Sequence, residues 1–515
     1  MSMPFHTSYL ARRSPFWPSH FADAADRRAR TRLAAQRRLT PEVLAVLREQ
    51  NPHAPALVAQ LESGTTAVVV TGQQVGLFLG PLFSFYKAAH AIVLAKQLSA
   101  ESGVACVPLF WLQTEDQDFA EIATASFVGS GGSVETVKLH DDQARISVAQ
   151  RVLGDEVLAA LETLAVSLGE RGAQVSQVLA RHYQPGASLA QAFVGVLTEI
   201  FGGDLLVCNP RDARLAAAAR TVWTTAIAQD DAVEAALEQR RVALESAGHA
   251  EQIKLRAGSP LLFLHLGEAH GPRHRLLRED SGYRVLGAEG RIEREALLAL
   301  AETDPLRFSS SAMLRPLLQD TLLPTAAYIG GAAELDYFAQ IAPLYERFGL
   351  VAPLLFHRAR FRLWTPPASR AREALGLQES ECTQTYEALA ARLVGHLEGA
   401  LPQEVWAKEV LARIAAYELD TPSAHLKQVA HRASLSITHA CVRLERAAKR
   451  ERMNDEATAE GRLHRLLAWM QPNGQPQERV LGFASFAART SVADFKRAIL
   501  GALDPMSAAL KDIHL

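Results

Sequence analysis

Short apolar runs alternate with longer mixed stretches over the first two-thirds of the chain. Ala67-Val68-Val69-Val70 is a continuous β-branched run of strand length and predicts a buried strand. A glycine-rich segment, residues 71–81, closes it, and a helical pattern follows over 82–98. VPLFWL at 107–112 predicts a second strand, which runs into the polar cluster Glu115, Asp116 and Asp118. DLLVC at 204–208 predicts a third, followed by Asn209-Pro210 and an alanine-rich helix. TAAYI at 325–329 and VAPLLF at 351–356 predict two more, flanking a helix at 334–348. Strands that alternate with helices predict an α/β fold with a parallel sheet and right-handed crossovers.

The first 60 residues read as charged helices broken at Pro41 and Pro52. Two stretches interrupt the alternation and are expected as insertions into the core. Residues 129–185 hold a glycine-rich turn, a strand at 134–139 and amphipathic helix; residues 221–300 hold helix, then strands near 261–266 and 283–286. Residues 368–471 are helical in composition, and 423–471 contain no proline and a single glycine, Gly461. One unbroken helix there would be about 70 Å long at ~1.5 Å per residue. Leu426, Val429, Ala433, Ile437, Ala440, Leu444 and Ala447 recur at spacings of three and four, a weak coiled-coil seam beside Arg443, Arg446, Arg450 and Arg452. Those arginines serve either a dimerisation arm, an anionic ligand or simply a solvated helix face. The expected organisation is an N-terminal helical segment (1–60), a core (61–367), a helical coiled-coil domain (368–471) and a C-terminal segment returning to the core (472–515).

Length and composition narrow the class. A chain of 515 residues exceeds one ordinary core and implies two or three packed units. Lys plus Arg number 54 and Asp plus Glu 56, a net charge of −2, which argues against bulk binding of nucleic acid. Cys106, Cys208, Cys382 and Cys441 are scattered, so neither a disulfide scaffold nor a zinc site is expected. No run approaches the roughly 18 apolar residues of a membrane span. Arg12-Arg13 is followed by no apolar signal core, so no targeting segment is expected, and the cytoplasm is the expected compartment.

Three strand ends carry the candidate chemistry. In Thr71-Gly72-Gln73-Gln74-Val75-Gly76-Leu77-Phe78-Leu79-Gly80-Pro81 a glycine-rich turn aims backbone amides and a helix start at an anion. It matches neither the Walker nor the dinucleotide pattern. Gln73 and Gln74 suit polar recognition, and Lys87 follows on the helix; the alternative is a tight turn that merely needs glycine. Glu115, Asp116 and Asp118 can hold an ammonium, ligate Mg2+ or accept a proton, or else decorate a helix start. Arg315 and Gln319 precede the third strand end, where Tyr328, Glu334 and Tyr337 lie; Arg315 suits a carboxylate or phosphate, or a structural ion pair. His265, His270 and His274 cluster in an expected β-hairpin without a metal-ligand pattern, so no metal site is assigned, and no G-x-S-x-G elbow is present.

VVVTGQQVGLFLGPLFSFYKA, VPLFWLQTEDQDFAEI, MLRPLLQDTLLPTAAYIGGAAELDYFAQ and PNGQPQER (472–479) occur in that order. Together they resemble the bacillithiol biosynthesis cysteine-adding enzymes, BshC. The resemblance implies a Rossmann-like core with connecting insertions plus an α-helical coiled-coil domain used for dimerisation. It implies a ligase joining L-cysteine to glucosaminyl malate through an amide bond, the last step to bacillithiol. ATP or ADP is then the expected nucleotide, Mg2+ a compatible metal, and a homodimer the expected assembly. The core is also similar in outline to class I cysteine-activating synthetases, but their KMSKS loop is absent. On this resemblance Glu115, Asp116 and Asp118 hold or deprotonate the sugar amine. The 72–80 loop, with Gln73, Gln74, Gly76, Gly80 and Lys87, receives an anionic group. Arg315 and Gln319 position a carboxylate, and Tyr328, Glu334 and Tyr337 line the floor.

The chain departs from the family pattern at three places. The usual G-E-D-H-D-F reads Thr114-Glu115-Asp116-Gln117-Asp118-Phe119, and glutamine does not titrate as histidine does. G-G-P-G-E reads Gly330-Gly331-Ala332-Ala333-Glu334, and P-R-x-S-x-T reads His357-Arg358-Ala359-Arg360-Phe361-Arg362. Two rivals follow: a divergent ligase or nucleotidyltransferase that couples another amino acid to another amine, and a non-catalytic coiled-coil platform that binds a ligand.

Overall fold

The structure is a computed structural model, and it describes residues 3–140, 146–393, 402–416, 423–454 and 458–515. Two compact units emerge. One comprises 1–127, 136–362 and 481–513; the other comprises 128–135, 363–480 and 514–515. The divisions at 362/363 and 480/481 compare with the expected 367 and 471.

In the first unit ten strands carry the argument: β1 (Ala67–Gln73), β2 (Cys106–Leu112), β3 (Leu206–Cys208), β4 (Leu262–His265), β5 (Arg273–Glu279), β6 (Gly282–Val285), β7 (Arg291–Glu293), β8 (Phe308–Ser310), β9 (Thr325–Gly330) and β10 (Leu354–His357). The central sheet is parallel, in the order β10-β9-β1-β2-β3. Central parallel strands are covered on both faces and therefore read as unbroken apolar runs. Val68, Val69 and Val70 are fully buried, as is every residue of β2. The register pairs Val70 with Leu109 and Tyr328, and Gly72 with Trp111. A side chain at Gly72 would meet the Trp111 carbonyl at 2.9 Å, so that position accepts only glycine without a shift.

Three helices bear on the site: α1 (Leu82–Ser102), α2 (Arg315–Leu322) and α3 (Ala332–Arg347). The first 60 residues form four helices: the first two pack toward β9 and β10, and the third and fourth lie at the other edge, where Asn51 bonds the Val207 backbone (2.8 and 2.6 Å). Trp17 Nε1 donates to Pro353 O (2.9 Å) and Tyr9 OH to Leu355 O (3.3 Å). Pro41 stands at the start of a helix, Pro41–Gln50, behind the cap of Thr40, because a proline lacks only an amide that the first turn leaves unused.

The 221–300 region, joined by Phe308–Ser310 from beyond it, builds a second sheet, antiparallel, in the order β8-β4-β5-β6-β7. His265 and His274 lie on neighbouring strands of the expected hairpin.

In the second unit the run 423–471 is two helices, Ala424–Asn454 and Ala459–Met470. Thr458 is extended and its side chain accepts from the Gly461 amide (2.9 Å), which starts a new helix despite the absence of proline. The helix Pro402–Ala415 packs along Ala424–Asn454. Seam positions Leu426, Val429, Ile437 and Leu444 are exposed. Arg446 and Arg450 lie where side chains are outside the described set, and Arg443 is exposed. Among the described residues no helix is long and apolar enough to cross a membrane.

Candidate functional site

The central sheet changes direction at β1. The chain runs outward through β2 and β3 on one side, then fills β9 and β10 on the other. Such sheets bind ligands outside the carboxyl ends of the strands at this crevice. Two side-chain clusters meet there, one on each side of β1.

The first cluster joins β1, β9 and their helices. Lys87, on α1, is buried and donates to Gly72 O (2.8 Å), Gln73 Oε1 (3.0 Å) and Glu334 Oε2 (2.5 Å). Glu334 stands in the first turn of α3, where Oε2 also accepts from the Gly331 amide (2.8 Å) and closes the helix start. Its Oε1 accepts from Tyr328 OH (2.6 Å). Arg315 donates to Tyr328 OH (3.0 Å), Tyr337 OH (2.5 Å) and Gln319 Oε1 (3.3 Å). Gln319 Nε2 continues to Asp320 Oδ1 (2.9 Å), and Tyr345 OH reaches Asp320 Oδ2 (2.8 Å). Seven of the expected site residues are thus bonded into one network. Arg315 and Gln319 are buried inside it. The Arg315 guanidinium faces two tyrosine hydroxyls rather than presenting an open fork to a ligand carboxylate.

Charge follows from these partners. Burial tends to raise the Glu334 carboxyl, but Lys87, Arg315 and the Gly331 amide outweigh it and hold the group below its ordinary value. Burial pulls Lys87 down, against the opposing pull of Glu334. For Arg315 burial is outweighed by Tyr328, Tyr337 and Glu334, which keep it above its usual value. Burial lifts the Tyr328 and Tyr337 hydroxyls, which stay protonated as donors. One carboxylate therefore sits between two cationic side chains, an environment that favours a further anion.

The second cluster joins β1, the loop after β2 and the antiparallel sheet. Arg273, on β5, donates to Asp116 Oδ1 (2.9 Å), to Ser310 O (3.0 Å) and to Glu115 O (3.4 Å). Gln117 Oε1 accepts from the Arg273 amide (3.3 Å). Gln74 Nε2 reaches Glu121 Oε2 (3.0 Å) and Asp116 Oδ2 (3.5 Å). The three predicted carboxylates take different positions. Glu115 is buried and accepts from Ser310 OH (2.5 Å). Asp118 is exposed and caps a short helix through the Glu121 amide (3.3 Å). The Asp116 side chain is 42% exposed; Oδ1 also accepts from the Gln117 amide (2.8 Å) while Oδ2 stays nearly free, so Asp116 can offer one oxygen to an amine while Arg273 holds the other. Consecutive side chains of an extended strand point to opposite sides, which is why Gln73 joins the first cluster and Gln74 the second.

The glycine loop is built for close packing. Phe78, Leu79 and Gly80 all have positive φ (52°, 74° and 67°), and a side chain at Gly76 would stand 3.0 Å from Gly80 Cα. Tyr183 OH donates to Gly76 O (3.2 Å) and accepts from the Leu79 amide (3.1 Å). The Gly76 and Gly80 amides bond to Gln74 O (3.0 Å) and Leu77 O (2.9 Å). These glycine amides close the turn on its own carbonyls and are not free to receive an anion, contrary to the expectation for this loop. Among the described residues no group of three or more His, Cys, Asp or Glu side chains forms a metal site.

Sequence reasoning missed Arg273, which lies 157 residues from Asp116, and the pair His6–Asp336 (2.9 Å), which fastens the N-terminal helix to α3. The alternation in Arg273-His274-Arg275-Leu276 was a readable strand signal. It could not name the partner.

Residues 5–359 match the family model described as Bacillithiol biosynthesis BshC, N-terminal Rossmann-like domain. The chain is similar to proteins named "Putative cysteine ligase BshC" from several bacteria. It is 32% identical to that of Koribacter versatilis over 85% of this chain and 82% of the relative. It is 31% identical to that of Solibacter usitatus over 87% and 86%. It is 33% identical to that of Salinibacter ruber over 73% and 70%.

Proposed function

Because the chain belongs to the BshC family of bacillithiol biosynthesis, we propose that it is a ligase that forms the amide bond between L-cysteine and glucosaminyl malate, completing bacillithiol. The observation that carries the reading is the pairing of two unlike clusters at the strand ends. One is a cation-rich network (Lys87, Arg315, Glu334, Tyr328, Tyr337) and the other presents Asp116, a carboxylate held by Arg273 with one oxygen nearly free.

Amide formation needs an activated carboxyl and an unprotonated amine within reach of each other. In this reading the cation-rich cluster draws in the cysteine carboxyl. Asp116, held by Arg273, binds the sugar ammonium and takes one proton to free the nitrogen lone pair; the amine then attacks the activated acyl carbon, the bond to the activating group breaks and that group leaves, and the nitrogen gives up its second proton to solvent. Glu115 and Asp118 support the loop that carries Asp116. Gln73 and Gln74 align the two clusters, and Gly76 and Gly80 shape the turn beneath them. ATP is the proposed source of activation, with Mg2+ as its usual companion; no residue is assigned to either. The exposed seam on Ala424–Asn454 supports a homodimer through the helical arm, and the cytoplasm is the proposed compartment.

The test is direct. The purified chain is incubated with cysteine, glucosaminyl malate, ATP and Mg2+, and bacillithiol is sought by mass spectrometry. Product that depends on all the organic substrates supports the reading; consumption of neither thiol nor amine would sink it. A second reading, a divergent ligase with another amine acceptor, is favoured by Gln117, whose side chain bonds the Arg273 amide where the family pattern has histidine. Substitution of another amine in the same assay separates the two.

A further inference from the structure

Beside Arg273, which the proposed chemistry uses only to hold Asp116, the antiparallel sheet carries Arg275, which it does not use. Along β5, Arg273 and Arg275 project from one face, and Phe263 lies opposite Arg275 on β4. The Phe263 ring is shared: the Arg273 guanidinium stands 3.9 Å from its centroid and that of Arg275 5.0 Å. Arg256 adds a third positive charge. Burial pulls the Arg275 guanidinium below its ordinary value, and the positive charges of Arg256 and Arg273 act in the same direction.

Only Arg273 has an acidic partner, Asp116. Among the described residues Arg256 and Arg275 have no carboxylate or carbonyl acceptor for their guanidinium groups, and the buried Nε of Arg273 has no hydrogen-bond partner. Arg256 is exposed, and Arg275 and Phe263 are partly so, leaving the face open to a ligand. Asp116 offsets the charge of Arg273, but Arg256 and Arg275 carry no such partner, and a bound anion relieves the repulsion that remains. The glycine loop, by contrast, spends the Gly76 and Gly80 amides on its own turn.

We propose that Arg275 and Arg256, beside Arg273 and Phe263, form the subsite for the doubly negative end of the amine-bearing substrate. Arg273 couples the two ends, because its guanidinium bonds Asp116, which faces the amine, and stands on the Phe263 ring that it shares with Arg275, which faces the dianion. A substrate with an amine and two carboxylates a few bonds apart spans the two. The identity of that substrate rests on the ligase reading above; the existence of a dianion subsite does not.

The experiment is calorimetric titration of the full-length chain, wild type and R256Q/R275Q, with L-malate and separately with inorganic pyrophosphate. Both substituted positions are at least partly exposed, and circular dichroism checks that the double variant remains folded. Wild type binds a dianion, and the variant loses affinity at least tenfold, as expected for two charge-assisted contacts. Loss in the malate arm assigns the subsite to a dicarboxylate, and loss in the pyrophosphate arm alone assigns it to a phosphate; either supports a dianion subsite. Failure of wild type to bind either probe, or equal binding by the folded variant, overturns the proposal. The readout needs no turnover. A chain that binds malate through these arginines but makes no amide would retain this subsite and lose the ligase reading.

Discussion

Lys87 Nζ lies 2.5 Å from Glu334 Oε2 across 247 residues of sequence, and the contact closes the crevice between β1 and β9. It ties the first helix of the core to the start of α3. Burial without a partner would leave either charge costly.

Lys87→Met therefore leaves the Glu334 carboxylate without its closest cation. Removing one partner of a buried pair costs about 3–5 kcal/mol. Urea unfolding of the variant should show a loss of that order, and a loss below about 1 kcal/mol would show that water or Arg315 replaces the lysine.

Asp116→Asn keeps the shape and the Arg273 contact but removes the charge that binds an ammonium. Bacillithiol formation should fall by about two orders of magnitude or more, as for loss of a general base, with an unchanged thermal midpoint. Normal formation would remove Asp116 from the chemistry.

Acid should destabilise the core unit. Burial holds His90, His265 and His357 at about 4 in the folded chain, against an ordinary 6.5. His90 is fixed as the neutral ring, since Nδ1 accepts from the Ala359 amide (3.0 Å) while Nε2 donates to Pro505 O (3.1 Å). Between those values the unfolded chain binds protons that the folded chain refuses, so stability falls as pH is lowered from about 6.5 towards 4. Glu334, held low when folded, adds to the loss at the acid end of the window. Thermal midpoints at pH 7, 6 and 5 check this; a flat profile would contradict it.

Gly72→Ala forces a methyl to within 2.9 Å of the Trp111 carbonyl at the centre of the sheet. Overpacking of this kind costs about 1–3 kcal/mol. Denaturant unfolding reads the cost, and the substitution should also disturb Lys87, which bonds to Gly72 O.

Much of this fold was legible because its strongest signals are local. The Val68-Val69-Val70 run and VPLFWL had to be central parallel strands, and glycines after two of the strands marked the crevice. The antiparallel sheet was only half legible. β7 and β8 are three residues each, and β5 is interrupted by charged residues that face solvent or Phe263. Charged alternation reads as readily as a loop. The break before Thr458 was hidden because a capping threonine interrupts a helix as firmly as proline does, yet threonine is common inside helices. At the site, residue types at strand ends were readable, but their partners were not. Nothing in the sequence near Asp116 announces Arg273, and nothing near Arg315 shows that Tyr328 and Tyr337 occupy its donors.

The most direct measurement is thiol profiling by mass spectrometry of a strain that makes bacillithiol, with this gene deleted and then restored. Accumulated glucosaminyl malate in the deletion, and bacillithiol recovered with the gene, is the predicted result. An unchanged thiol pool in the deletion strain would contradict the cysteine-adding step. The clusters around Glu334 and Asp116 would then belong to a different amine acceptor.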